Sequence, residues 1–185
     1  MSTVLIDGIR SWLASRGLDP DEPGLAETPE RVARAWDELT AGYDDDPETY
    51  LACTFDVERA DGMIAVTDVG FTSICEHHLM PFTGTATIAY LPAAEAPVVG
   101  LSKLPRLLDT LARRLQVQER LTRQVTDALD TYLKTDGSAC VVRAEHGCMT
   151  QRGVRKPGAM MVTTSLTGRF LTDDAIRAEF HALGG

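Results

Sequence analysis

Hydrophobic and polar residues recur with two different periods along the chain, and the switches between them mark out its elements. Val4, Leu5, Ile9, Trp12 and Leu13 fall on one helical face, so residues 3–16 read as an amphipathic helix. Gly17 is placed to end it, and the Pro/Asp/Gly run over 18–24 reads as a loop. Thr28 followed by Pro29 resembles an N-cap and first helical position. The helix it opens runs to about residue 41, with Val32, Ala35, Trp36 and Leu39 as its apolar stripe. The acidic stretch 43–50 reads as a surface connection.

A strand is expected over 63–69, followed by a Cys/His-rich segment at 71–81. Over 82–91, Phe82, Ala86, Ile88 and Tyr90 alternate with Thr83, Thr85 and Thr87, the period of a strand. After a turn at 92–97, Ser102 can cap a helix carrying Leu104, Leu107, Leu108, Leu111 and Leu115 on one face. A second helix over 117–134 buries Val117, Leu121, Val125, Leu129 and Leu133. Gly137 should break it, 138–147 returns to strand pattern, and 160–170 holds another strand or pair. Asp173 starts a terminal helix. Helices, two strands, two helices and two more strands describe an α+β domain with antiparallel hairpins.

Composition narrows the class. The 185 residues are 44% hydrophobic and 24% charged, ordinary globular values, and the length suits roughly one domain. The formal charge of −9 argues against a nucleic-acid or anionic-membrane binder. That charge is uneven: residues 1–100 carry 5 basic and 18 acidic side chains, whereas 101–157 carry 11 basic and 6 acidic. A basic region inside an acidic chain suits a small anionic ligand. Solvated outer faces of two helices, with Arg113, Arg114, Arg123 and Lys134, would account for the same excess. No apolar run approaches the ~18 residues of a membrane span. The start lacks a basic segment leading into an apolar one, so a cytoplasmic protein is expected. Four cysteines then read as thiols or metal ligands rather than a disulfide frame.

The chemistry concentrates in two places. In Cys75-Glu76-His77-His78 a thiol and an imidazole stand three apart, the spacing at which one helical turn brings both to one ion. His146-Gly147-Cys148 lies at the end of an expected strand; if that strand is regular, Cys140, Val142, Ala144, His146 and Cys148 share a face. Cys75, His78 and Cys148 make three ligands of the type zinc prefers, leaving a fourth position for water. A closed structural site completed by His77 or His146, and a nucleophilic cysteine, stand beside that reading. Cys53 and Cys140 lack histidine neighbours and read as small core hydrophobes. His181 reads as a solvated or capping side chain.

Six motifs then occur in one order: Thr28-Pro-Glu-Arg31, Cys75-Glu-His-His78, Gly100-Leu-Ser-Lys103, Gln116-Val-Gln-Glu-Arg-Leu-Thr122, His146-x-Cys148 and Arg152-Gly-Val154. In this the chain resembles the GTP cyclohydrolase I family over nearly its whole length. The resemblance implies a tunnelling (T-fold) α+β architecture: an antiparallel sheet with helices packed on one side. An N-terminal helical segment over 1–60 would precede a catalytic domain over 61–185, the two forming one functional unit. It implies conversion of GTP and water to formate and 7,8-dihydroneopterin triphosphate, the first step of pterin and tetrahydrofolate biosynthesis. Zn2+ would sit on Cys75, His78 and Cys148, with His77 and His146 in acid/base roles and Ser102 as a further proton shuttle. Glu119 would anchor the guanine edge, and Gln118 and Ser102 would support base and sugar.

Lys103, Arg106, Arg152 and Arg31 resemble the triphosphate-binding set, which suits a ligand with about four negative charges. The family assembles as a homo-oligomer, usually a decameric ring with active sites between subunits. A carboxylate such as Glu119 can accept two N–H bonds from guanine, whereas adenine offers the wrong pattern. Gly147 stands where the family usually has a larger residue, so looser positioning of His146 and Cys148 is expected. Met160-Met161 replaces a more hydroxyl-rich run.

Overall fold

The computed structural model describes residues 2–56 and 62–184; the expected division between residues 60 and 61 lies outside them. Helix α1 (Thr3–Ser15) starts where expected, its Leu5 amide donating to the Ser2 hydroxyl at 3.4 Å. Of its apolar face only Leu13 is buried, while Val4 and Trp12 are 80% and 58% exposed. Helix α2 (Thr28–Leu39) departs from expectation at its cap. Glu27 takes the N-cap position and Thr28 is already helical, because the preceding residues are wound: Ala26 donates to the Glu22 carbonyl and Thr28 to that of Leu25. Pro29 and Ala33 form its buried stripe, and Ala35, expected there, is exposed.

Residues 43–50 are not a mere surface connection. A 3-10 turn (Ala41–Asp44) and α3 (Pro47–Leu51) dock onto the helix that follows. Asp45 accepts from the Tyr50 hydroxyl at 2.8 Å and the Thr110 hydroxyl at 2.7 Å. Arg114, expected as surface charge, donates to the carbonyls of Gly42 and Asp45 at 2.8 and 3.2 Å. The Thr110 bond, more than any other group, holds the Asp45 carboxyl below its ordinary pKa. Cys53, expected in the core, is exposed beside this connection.

The rest of the chain supplies β1 (Thr54–Phe55), β2 (Ile64–Cys75), β3 (Met80–Pro92), β4 (Val98–Val99), α4 (Lys103–Ala112), β5 (Leu115–Gln116), α5 (Gln118–Tyr132), β6 (Thr135–His146), α6 (Gly147–Thr150), β7 (Met160–Leu166), α7 (Arg169–Thr172) and α8 (Asp174–Gly184). Five strands make one sheet in the order β5-β2-β3-β6-β7, antiparallel except for the β2–β5 pair. β2 runs to Cys75, well past the expected end, because β3 pairs with it along its length. Gly137 lies inside β6 rather than ending a helix before it. A Cβ there would stand 2.6 Å from the Thr167 carbonyl, so glycine admits the chain leaving β7. That chain turns at Gly168 (φ 49°), which ends the strand before Phe170.

The period-two pattern decides the two faces. Phe82, Ala86, Ile88 and Tyr90 of β3, with Cys140, Val142 and Ala144 of β6, meet the leucines of α4 and Leu121, Val125 and Leu129 of α5. Complete burial pushes the Cys140 thiol strongly up, the state of an inert core side chain. This is the expected T-fold arrangement, an antiparallel sheet with its two long helices, α4 and α5, on one side and a helical segment before it. The intervening positions Ala89, Leu91, Ala139 and Val141 are also buried, under Phe170 and Phe180 from the C-terminal helices. Asp173 caps α8, accepting from the amides of Ala175 and Ile176.

Removing the Asp45 carboxylate with Asp45→Ala should cost about 1 kcal/mol near neutral pH, or roughly 2–4 °C in Tm. Because the native pKa is lowered, this stabilisation is present above the unfolded carboxylate range and lost as pH falls through the native value. Thermal melts of both proteins across that range should therefore converge in acid; a gap that persists or widens there would contradict the assignment.

Candidate active site

The β2–β3 connection is one helical turn. The amides of His78 and Leu79 both donate to the Cys75 carbonyl, at 3.4 and 2.8 Å, and Leu79 adopts a φ of 51° to rejoin the sheet. Cys75 and His78 thereby share a side, as their spacing requires, with Sγ 3.9 Å from Nδ1. Cys148 arrives by a different route from the expected one. β6 ends at His146, so Cys148 lies not on the strand but in the short turn of α6. That turn presses on β3: a Cβ on Gly147 would stand 2.9 Å from the Pro81 carbonyl. Glycine here permits close packing rather than looseness.

The ligand atoms of Cys75, His78 and Cys148 all lie within 4.8 Å of one another. Ligands at ~2.0–2.3 Å around a tetrahedral ion are roughly 3.4–3.8 Å apart, so the trio needs only a small closure to hold one metal ion. Two thiols and an imidazole favour a borderline-soft cation over a hard one. Burial, and then the adjacent Cys75, push the Cys148 thiol up, while Arg152 opposes them. A bound cation would reverse that balance and favour the thiolates.

A cavity of about 380 Å3 joins this trio to His77, Gln118, Glu119 and His146. His146 ends β6 directly opposite Phe82 of β3, and the two rings stack at 4.5 Å with planes 2° apart. Its Nε2 lies 2.8 Å from the Gln118 amide oxygen. Burial lowers the His146 pKa and Glu119 works against that shift. Glu119 itself is exposed, in the first turn of α5. A larger groove of about 610 Å3 runs past Glu38, Thr72, Thr83 and Asp109, but it is lined by neither cysteine nor histidine.

The sequence model of the family described as GTP cyclohydrolase I matches residues 6–184. The chain belongs to the GTP cyclohydrolase I family. It is 51% identical over 175 residues to the "GTP cyclohydrolase 1" of Rhodopirellula baltica, covering 95% of this chain and 75% of that one. To the "GTP cyclohydrolase 1" of Mycobacterium leprae it is 52% identical over 176 residues, 95% of this chain and 84% of the relative. The protein of that name in Corynebacterium glutamicum is 50% identical over 175 residues, 95% and 89% of the two chains. A solved apo structure of an archaeosine synthase QueF-like protein overlaps 60% of this chain and 97% of that one, with a TM-score of 0.48 and 11% identity. Membership of this enzyme family makes GTP the substrate. Among the described residues no helix is long and apolar enough to cross a membrane.

Other residues that the resemblance to GTP cyclohydrolase I singles out stand apart from the cavity within one chain. The C-terminal end of α4 leads to β5, which pairs with Ile74 and Cys75. Ser102 and Lys103 open α4, a helix of ten residues and so about 15 Å long. The Ser102 hydroxyl does not cap that helix. Arg106 lies over the Tyr50 ring at 5.6 Å, and Arg31 pairs with Glu27 at 2.5 Å on α2. Arg152, four residues past Cys148, is exposed and acts on its thiol. His181 is exposed.

Two features of the site escaped sequence reasoning. Arg120 pairs with Glu76 at 2.5 Å, tying the hairpin tip to α5; both lie inside quoted motifs, but only the fold opposes them. Phe82 was legible as core, not as the platform for a histidine 64 residues later. With two ligands left, a Cys148→Ser protein should retain much less metal than wild type after dialysis against a mild chelator, at unchanged fold by circular dichroism. Equal metal per chain in the two proteins would remove Cys148 from the ligand set.

Proposed function

We propose that this chain is a zinc-dependent GTP cyclohydrolase, releasing formate from GTP and rearranging the remainder to 7,8-dihydroneopterin triphosphate. The observation that carries the reading is the convergence of three soft ligands with His146 and Glu119 on one cavity in a member of this family. Cys75, His78 and Cys148 would hold the ion, which supplies a water acidified towards neutrality and polarises the group it meets. Glu119 receives the N–H groups of the guanine edge. As an acceptor-only group it matches guanine and mismatches adenine.

His146 exchanges protons with the purine imidazole nitrogens as that ring opens. Its part-buried, downshifted imidazole is neutral near pH 7 and suited to cycling a proton there. His77, exposed at the cavity mouth and 3.8 Å from Glu76, is assigned to the later proton transfers of ribose opening and ring closure, with Ser102 as a second candidate. The triphosphate needs cations, and among the described residues no arginine or lysine lines the cavity. Arg152 stands near enough to serve from the same chain. Lys103, Arg106 and Arg31, with Ser102, would come from a neighbouring copy in a homo-oligomeric, decameric ring. The N-terminal segment, residues 1–60 by the sequence reading, precedes the catalytic domain and forms one functional unit with it, and the reaction belongs to the cytoplasm, at the start of pterin and tetrahydrofolate synthesis.

Incubation of zinc-loaded protein with GTP should yield formate and a fluorescent pterin together, and a chelator should abolish both. Formate without pterin would remove the rearrangement, and neither product with zinc bound would overturn the assignment. Glu119→Ala should weaken GTP binding by about 2–3 kcal/mol, some 30- to 150-fold, and erode discrimination against ATP. Unchanged GTP affinity by calorimetry would move the guanine anchor elsewhere.

A further inference from the structure

We propose that Gln118 is a positioning residue that sets the tautomer of His146, holding its Nε2 protonated and leaving Nδ1 as the nitrogen free for proton exchange. The inference rests on the acid/base role assigned to His146 above. Its starting point is the side-chain nitrogen of Gln118, which lies 3.0 Å from the Val142 carbonyl, 3.1 Å from that of Met161 and 3.1 Å from the Thr163 hydroxyl. Two of these three partners can only accept, so the amide must turn its NH2 group towards them. The opposite orientation would set an oxygen against two carbonyl oxygens. The amide oxygen is therefore the atom 2.8 Å from His146 Nε2, and since it can only accept, the proton of that bond belongs to the imidazole.

The surroundings lock this arrangement. Thr122 donates to the Gln118 carbonyl at 2.7 Å, and the Thr163 hydroxyl lies 2.6 Å from that of Thr122. Each hydroxyl has one proton, so Thr163 donates to Thr122 and accepts from the Gln118 amide, closing a ring of hydrogen bonds between α5 and β7. Gln118 is 1% exposed, and both amide protons are engaged within this chain. The Phe82 ring holds the plane of the imidazole. The Gln118 side chain thus has no N–H to spare for a purine, and acts on the reaction through His146 instead of through a side-chain contact to the base.

The test reads the tautomer directly. Zinc-loaded protein labelled with nitrogen-15 histidine would be studied by solid-state NMR at about pH 8.5, where imidazoles are neutral. The chain has 4 histidines, and His146→Ala identifies the signals of interest. The expected wild-type result is His146 protonated at Nε2. In Gln118→Met those signals should shift towards the other tautomer, while kcat for GTP falls about tenfold or more and KM stays within about twofold. Protonation at Nδ1 in the wild type would overturn the proposal, and that spectrum decides even if the variant fails to fold. An unmoved tautomer with a raised KM in Gln118→Met would overturn it too, making Gln118 a contact to the base. Lack of turnover by wild type would defeat the assigned reaction and leave the tautomer result standing.

Discussion

The pairing of β3 with β6 is the constraint on which the site depends. Antiparallel register opposes Phe82 to His146 and continues residue by residue to Leu91 and Gly137. A slip of one residue would exchange the two faces of β6, sending Cys140, Val142 and Ala144 away from α4 and α5. The same slip would take His146 off Phe82 and move α6, with Cys148, away from the β2–β3 turn. Burial of the apolar face therefore holds the catalytic geometry. The energy that fixes the register is that of the core, and the functional groups stand at its end, where the strand has no further pairing to satisfy.

A second layer of order is polar. Gln118, Thr122 and Thr126 recur at four-residue spacing on α5 and meet Thr163 and Ser165 of β7 by hydrogen bonds of 2.6–3.1 Å. Hydrophobic contact between these elements would bring them together without specifying orientation. Matched hydroxyls and an amide impose one arrangement, because a buried unpaired partner costs about 1–3 kcal/mol. This ladder ends at His146, the imidazole whose tautomer it is proposed to set.

Charge is separated from chemistry in the same way. Among the described residues, no arginine or lysine lines the cavity beside Cys75, His78 and Cys148, although the stretch 101–157 is basic. Arg114 and Arg120 are used for structure, one on the carbonyls of Gly42 and Asp45 and one on Glu76. Lys103 and Arg106 lie towards the other end of α4. In the proposed homo-oligomer, a second copy would bring such cations to the polyanionic substrate.

Local order was legible in the sequence wherever short-range physics decides it. Helical and strand periods located α1, α4, α5 and β3, and the three-residue spacing of Cys75 and His78 survived because one turn of backbone suffices to join them. The boundaries that failed were set by partners distant in sequence. Gly137 sits in a strand because Thr167 and Gly168 pass against it, and Thr28 is not the cap of α2 because the turn before it is already wound. Residue type alone pairs Cys148 with Cys75, but the route of Cys148 through α6 is not readable from the spacing. The sequence by itself determined which side chains could do chemistry and which faces must be buried. Only the tertiary structure decided that Phe82 carries His146, that Glu76 meets Arg120 and that the side-chain amide of Gln118 is engaged inside the chain. Those contacts join residues tens of positions apart, and their energy exists only once the register of the sheet is formed.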